Sequence, residues 1–149
     1  GKDENIVFDT PFIAVEPLNT SSGGPISSEQ EFVAEYMLYL NAAAPKKNVD
    51  VSYDIIVGDG LKEGVDFELI TKETTQTFLQ GIYDLSIRIK WLKTCVRDAE
   101  GKIIEDSLDT TKDVSIKIVL KSNSENYDLG YPGPAQKFKQ VVILKERAK

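Results

Sequence analysis

The 149-residue sequence carries 24 acidic and 18 basic side chains, a net charge of −6, no histidine and one cysteine. The lack of histidine excludes a Ser–His–Asp triad, a Cys–His catalytic pair and histidine metal sites, and a single cysteine excludes an intramolecular disulfide. The acidic balance argues against nucleic acid as a partner, because such interfaces need a basic surface, and no apolar run reaches the roughly 20 residues of a transmembrane helix.

The N-terminal region predicts one strand, made of Ile6–Phe8 and Phe12–Val15 and interrupted at Pro11. Proline has no backbone N–H to donate to a ladder, so Pro11 indicates a sheet edge or a bulge. Residues 1–5 are polar and do not begin with methionine. We expect them to be a flexible, trimmed N-terminus.

The segment 27–40 fits two secondary structures. Ser28 followed by Glu31 resembles a helix capping box. However, the apolar residues also alternate as in a strand, at Phe32, Ala34, Tyr36, Leu38 and Leu40. We favour the strand, because the other periodic segments are β and because aromatic and branched side chains prefer that setting.

Three later segments alternate between an apolar and a mainly polar face: 49–57, 83–91 and 114–120. Successive side chains of a strand point to opposite faces, so each segment predicts a strand with one buried side. Trp91 shares the apolar parity of its segment and is predicted to lie in the core. A less regular strand is predicted near 138–144.

Turn-forming residues separate these strands, and Asp98–Lys102 predicts a hairpin tip. About seven one-sided strands with Gly- and Pro-rich connections predict an all-β, antiparallel β-sandwich, with a closed barrel as the alternative. No repeat, linker or low-complexity segment divides the chain. We therefore expect residues 1–149 to form a single β-sandwich domain.

The order of these motifs resembles the Calx-beta-like, immunoglobulin-like domains and, more closely, the N-terminal domains of bacterial surface lipoproteins of glycan-utilisation systems, many of unknown function. The resemblance covers about residues 30–145. The segments that carry it are Asn48–Ile55, the Gly-x-Asp-Phe turn Gly64–Phe67, Gly81–Ile89, Asp113–Leu120 and Tyr127–Gly130.

The resemblance implies an immunoglobulin-like sandwich that is exported and lipid-anchored at the bacterial outer membrane or cell surface. The anchor would be a cysteine upstream of Gly1. Some Calx-beta domains bind calcium through acidic loops, and Asp66 of the Gly-x-Asp-Phe turn is the one residue that this likeness carries over. The implied biological setting is glycan utilisation.

Four acidic residues lie within ten positions, at Asp59, Glu63, Asp66 and Glu68. Calcium takes six to eight oxygen ligands, several of them carboxylates, so Asp59, Glu63 and Asp66 are candidate metal ligands. Their spacing matches no EF-hand loop. We favour a solvated acidic loop and expect no cofactor, with calcium as the alternative.

Tyr127, Asp128 and Tyr131 are candidate ligand-binding residues. They lie beside Gly130 in a loop that cannot continue as a regular strand through its prolines. Exposed loop aromatics near a carboxylate suit contact with a carbohydrate or a protein. The competing interpretation is that the tyrosines plug the end of the sandwich.

No catalytic constellation is evident in this well-patterned β chain. The sequence therefore favours a non-catalytic binding or spacer module, and the resemblance implies that this module is extracytoplasmic and contacts a glycan or another surface protein. One alternative is a small hydrolase that uses two carboxylates, which must stand about 5–10 Å apart. The other is a structural module stiffened by calcium.

Overall fold

The computed structural model describes residues 10–18, 24–43 and 46–149. The predicted strand segment Ile6–Phe8 and the expected flexible residues 1–5 lie outside these ranges. Within them every regular element is a β-strand, and no helix is long and apolar enough to cross a membrane. The strands are β1 (Phe12–Pro17), β2 (Ile26–Ser27), β3 (Phe32–Asn41), β4 (Val49–Val57), β5 (Phe67–Leu69), β6 (Thr75–Phe78), β7 (Asp84–Trp91), β8 (Cys95–Arg97), β9 (Ile103–Asp106), β10 (Ser115–Asn123), β11 (Asp128–Leu129) and β12 (Gln140–Glu146).

The strands form two five-stranded sheets and a two-stranded ribbon. The front sheet has the order β11-β1-β3-β7-β5, the back sheet has the order β2-β12-β10-β4-β6, and β8 pairs with β9. Most pairs are antiparallel, whereas β1–β11 and β2–β12 are parallel. Both sheets contribute side chains to one buried core, so the arrangement is all-β and sandwich-like, as the sequence predicts.

Strand β3 shows why apolar residues that recur at every second position identify the strands. Ala34, Tyr36, Leu38 and Leu40 are buried, and the residues between them are partly exposed. The strand prediction for this segment is therefore confirmed. Ser28 does not cap a helix, because the segment that follows it is strand β3. Its hydroxyl instead donates to the carboxylate of Asp106.

Trp91 is fully buried, as its parity predicts. Its Nε1 donates to the hydroxyl of Tyr36 at 3.1 Å, so both polar tips are satisfied inside the core. The ring also packs against Phe67, with 6.3 Å between centroids. The N–H of a buried tryptophan needs a hydrogen-bond partner, and here Tyr36 of the neighbouring strand β3 supplies it.

The predicted count of about seven strands is too low. Six of the twelve strands have six residues or more, and the other six have only two to four. An alternating pattern cannot be recognised over two to four residues. The Asp98–Lys102 tip does join an antiparallel pair, β8 and β9, as predicted.

The segment between β11 and β12 folds back tightly against β1. Its first glycine, Gly130, has φ +82°, and a Cβ there would lie 2.5 Å from the backbone oxygen of Gln136. The N–H of Tyr131 donates to the carbonyl of Lys137 at 2.7 Å, and that of Val15 in β1 donates to the carbonyl of Phe138 at 2.9 Å. These bonds fix the loop beside the front sheet.

Candidate functional site

A groove of about 490 Å³ opens where β1, β3 and β7 lie side by side. We call it the tyrosine groove, because three of its lining residues are tyrosines. Leu38 and Leu40 point into the core, so Tyr39 and Asn41 of the same strand point to the outer face of the front sheet. The lining residues are Phe12, Glu16, Tyr39, Leu40, Asn41, Tyr83, Asp84 and Tyr131.

Strand register brings these residues together. Tyr39 of β3 is the partner of Asp84 in β7, and Asn41 of β3 is the partner of Phe12 in β1. Directly opposite residues of an antiparallel pair have Cβ atoms about 4.5–5.5 Å apart. The groove is therefore built on three paired strands, which hold its floor rigidly.

Tyr131 forms a fixed aromatic wall of the groove. Its ring centroid lies 5.0 Å from that of Phe12 and 5.6 Å from that of Phe138. Its hydroxyl donates to Oε2 of Glu16 at 2.8 Å. Burial raises the pKa of Tyr131, and the bond to Glu16 and its charge raise it further, so the phenol stays protonated and oriented at neutral pH.

The other two tyrosines belong to neighbouring parts of the front sheet, one within β3 and one just before β7. Tyr39 is half-buried, and burial together with the charges of Glu16 and Asp84 raises its pKa. Tyr83 is 37% exposed and directly precedes β7. Its carbonyl accepts the N–H of Leu40 at 2.9 Å, which attaches it to β3. The groove thus combines three phenol rings with two carboxylates.

Of the three predicted ligand-binding residues, Tyr131 is the one that lines the tyrosine groove. Tyr127 packs against the core, with its N–H and carbonyl bonded to the side chain of Asn123 at 2.9 and 2.8 Å. Asp128 is exposed in β11, beside Phe12 in the parallel register. Sequence reasoning missed the groove residues Tyr39 and Tyr83.

Each candidate metal ligand accepts a hydrogen bond from a backbone N–H. Asp59 accepts the N–H of Asp113 at 3.1 Å, and Glu63 accepts that of Leu69 at 2.9 Å. Asp66 is buried and accepts the N–H of Lys62 at 2.8 Å. Among the residues that the structure describes, no three acidic or cysteine side chains meet as a metal-binding group.

Lys145 is the second partner of Asp66 and is fully buried. Its Nζ lies 3.7 Å from Oδ1 of Asp66 and donates to the carbonyls of Leu92 at 2.8 Å and Asp66 at 3.1 Å. Burial lowers the pKa of Lys145, and the nearby carboxylates of Asp66 and Asp106 oppose that shift. The ammonium therefore links β12 of the back sheet to Asp66, which directly precedes β5, and to Leu92, which directly follows β7.

No family model matches the sequence, and no match was found among the curated proteins. The resemblance to surface lipoprotein domains therefore stays a prediction.

Proposed function

We propose that the protein is a non-catalytic module that binds a saccharide in the tyrosine groove. The observation that supports this is the grouping of Tyr39, Tyr83 and Tyr131 with Glu16 and Asp84 around one surface opening. Aromatic rings stack on the apolar faces of sugar rings, and carboxylates accept hydrogen bonds from sugar hydroxyls. Asn41 adds an amide that both donates and accepts.

Two physical features favour ligand binding. The groove volume of about 490 Å³ lies within the range of small-ligand sites. Tyr131 is held by two aromatic neighbours and by Glu16, so little side-chain freedom is lost when a ligand packs on it. Such preorganisation lowers the entropic cost of binding.

The proposed setting follows from the sequence resemblance. We place the module outside the cytoplasm, on a lipid-anchored surface protein of a glycan-utilisation system. There the groove would hold a glycan, and another surface protein is the alternative partner.

A glycan array followed by titration calorimetry tests the proposal. We expect Tyr83→Ala and Tyr39→Ala to weaken binding by about two- to tenfold each, since an aromatic contact contributes about 0.5–1.5 kcal/mol. Tyr127→Phe is the matched control, because Tyr127 lies outside the groove and the change keeps its ring. Unchanged affinity in both groove variants, with folding preserved, would contradict the proposal, and an empty array would favour a spacer.

A second candidate is the small hydrolase, since Glu16 and Asp84 both line the groove. A pair of carboxylates on opposite sides of a glycosidic bond can serve as acid and base. Incubation of a bound oligosaccharide with the protein, followed by mass analysis of products, separates the two functions. Release of shorter sugars that stops in Glu16→Gln would favour the hydrolase.

A further inference from the structure

Negative charge surrounds Tyr39 from two neighbouring strands. Glu16 extends from β1 on one side of β3, and Asp84 extends from β7 on the other. Burial raises the pKa of Tyr39, and the charges of both carboxylates raise it further, so both carboxylates lie close enough to act on the same ring. Among the described residues, none that lines the groove is a lysine or an arginine.

Nearby cations are engaged with other groups. Arg88 lies on the same face of β7 as Asp84, and its Nε is 2.8 Å from Oε1 of Glu35. Lys137 lies over the ring of Phe138, with 5.1 Å between Nζ and the ring centroid. Of the side chains that the structure describes, no lysine or arginine forms an ion pair with either groove carboxylate. The groove lining that these side chains provide therefore carries net negative charge.

We propose that the saccharide bound in the tyrosine groove carries a free amine, and this rests on the proposed function. An ammonium group is attracted to the face of a tyrosine ring and forms charge-assisted hydrogen bonds with carboxylates. Glu16 and Asp84 supply the carboxylates beside the ring of Tyr39. The same two charges repel a saccharide that carries a carboxylate of its own.

Three oligosaccharides of equal length test the inference: a glucosamine tetramer, its fully N-acetylated form and a galacturonate tetramer. Acetylation removes the charge of the amine and leaves the sugar ring unchanged. We expect the free amine to bind about three- to twentyfold more tightly than the acetylated form, from two solvent-exposed charge pairs, and the galacturonate to bind most weakly. One molar NaCl should remove most of this preference, because the Debye length falls to about 3 Å.

Asp84→Asn and Glu16→Gln should each lower the preference for the amine by about two- to fivefold. Asp54→Asn makes the same charge change on β4 of the back sheet and should leave the preference unaltered. Asn and Gln keep acceptor oxygens in the groove, so hydrogen bonding to sugar hydroxyls is retained.

The outcomes separate the two proposals. Equal or tighter binding of the acetylated form, together with a loss of affinity in Tyr83→Ala, would overturn the amine preference and leave saccharide binding intact. A preference that persists in Asp84→Asn and Glu16→Gln would also overturn it. Failure of all three tetramers and of the glycan array to bind would overturn both proposals.

Discussion

Replacement of Lys145 by methionine tests how the end of the sandwich is held together. The side chain is fully buried, and its Nζ serves two carbonyls and the carboxylate of Asp66. Methionine keeps most of the stem volume but leaves the buried Asp66 charge without its partner. Removing one member of a buried pair costs about 3–5 kcal/mol, a large share of the roughly 5–15 kcal/mol that stabilises a typical domain.

Urea unfolding measures this loss directly. Trp91 is the single tryptophan and is fully buried, so its fluorescence reports on the core. We expect Lys145→Met to lower the free energy of unfolding by about 3–5 kcal/mol without changing the dependence on urea.

A double-mutant cycle with Asp66→Asn isolates the pair. Asparagine keeps an oxygen for the N–H of Lys62 and removes the charge. The double variant should therefore be about 1–3 kcal/mol more stable than the sum of the single losses predicts. The reasoning would be refuted if Lys145→Met were as stable as the parent protein, or if the two changes were additive.

Three further predictions concern stability. Burial alone would raise the pKa of Asp106, but hydrogen bonds to its carboxylate hold the pKa below the ordinary 3.8. The stability that Asp106 contributes is therefore complete above about pH 4 and falls as pH drops through the folded-state pKa. Asp106→Asn should flatten this acid limb in urea titrations from pH 2 to 6. Gly130→Ala should cost about 1–3 kcal/mol from its positive φ and more from its contact with backbone, whereas Gly81→Ala has a similar φ of +87° and meets no atom within 4 Å. Equal thermal shifts in these two variants would contradict the steric argument. Trp91→Phe should cost about 1–3 kcal/mol in circular dichroism melts, because the hydroxyl of Tyr36 is left buried without this donor.

Five of the long strands, β3, β4, β7, β10 and β12, were predictable from the sequence because their buried and exposed side chains largely alternate. Strand β1 differs, because four consecutive residues, Phe12–Val15, are buried. Alternation in β3 places Tyr36 in the core and Tyr39 on the outer face, and the structure agrees. In 83–91 the same reasoning assigns Tyr83 to the apolar face with Trp91. The structure leaves Tyr83 37% exposed. Strand β7 begins only at Asp84, and the side chain of a residue outside the strand need not follow the alternation between the two faces of the sheet.

The groove itself could not be predicted from the sequence. It depends on the pairing of Tyr39 with Asp84, which are far apart along the chain and meet only through the register of β3 and β7. Tyr131 was identified as a loop aromatic, but its partner Glu16 lies 115 positions away. Single-sequence patterns report local periodicity, whereas this site is made of long-range neighbours.

The short strands also limit one route by which the molecule can associate with other copies of itself. In the part of the chain that the structure describes, the front sheet ends at β11 and β5 and the back sheet at β2 and β6, and none of these exceeds four residues. An edge strand exposes backbone groups on which another chain can add a strand, and very short edges limit that addition. The protein should accordingly resist edge-to-edge aggregation at high protein concentration.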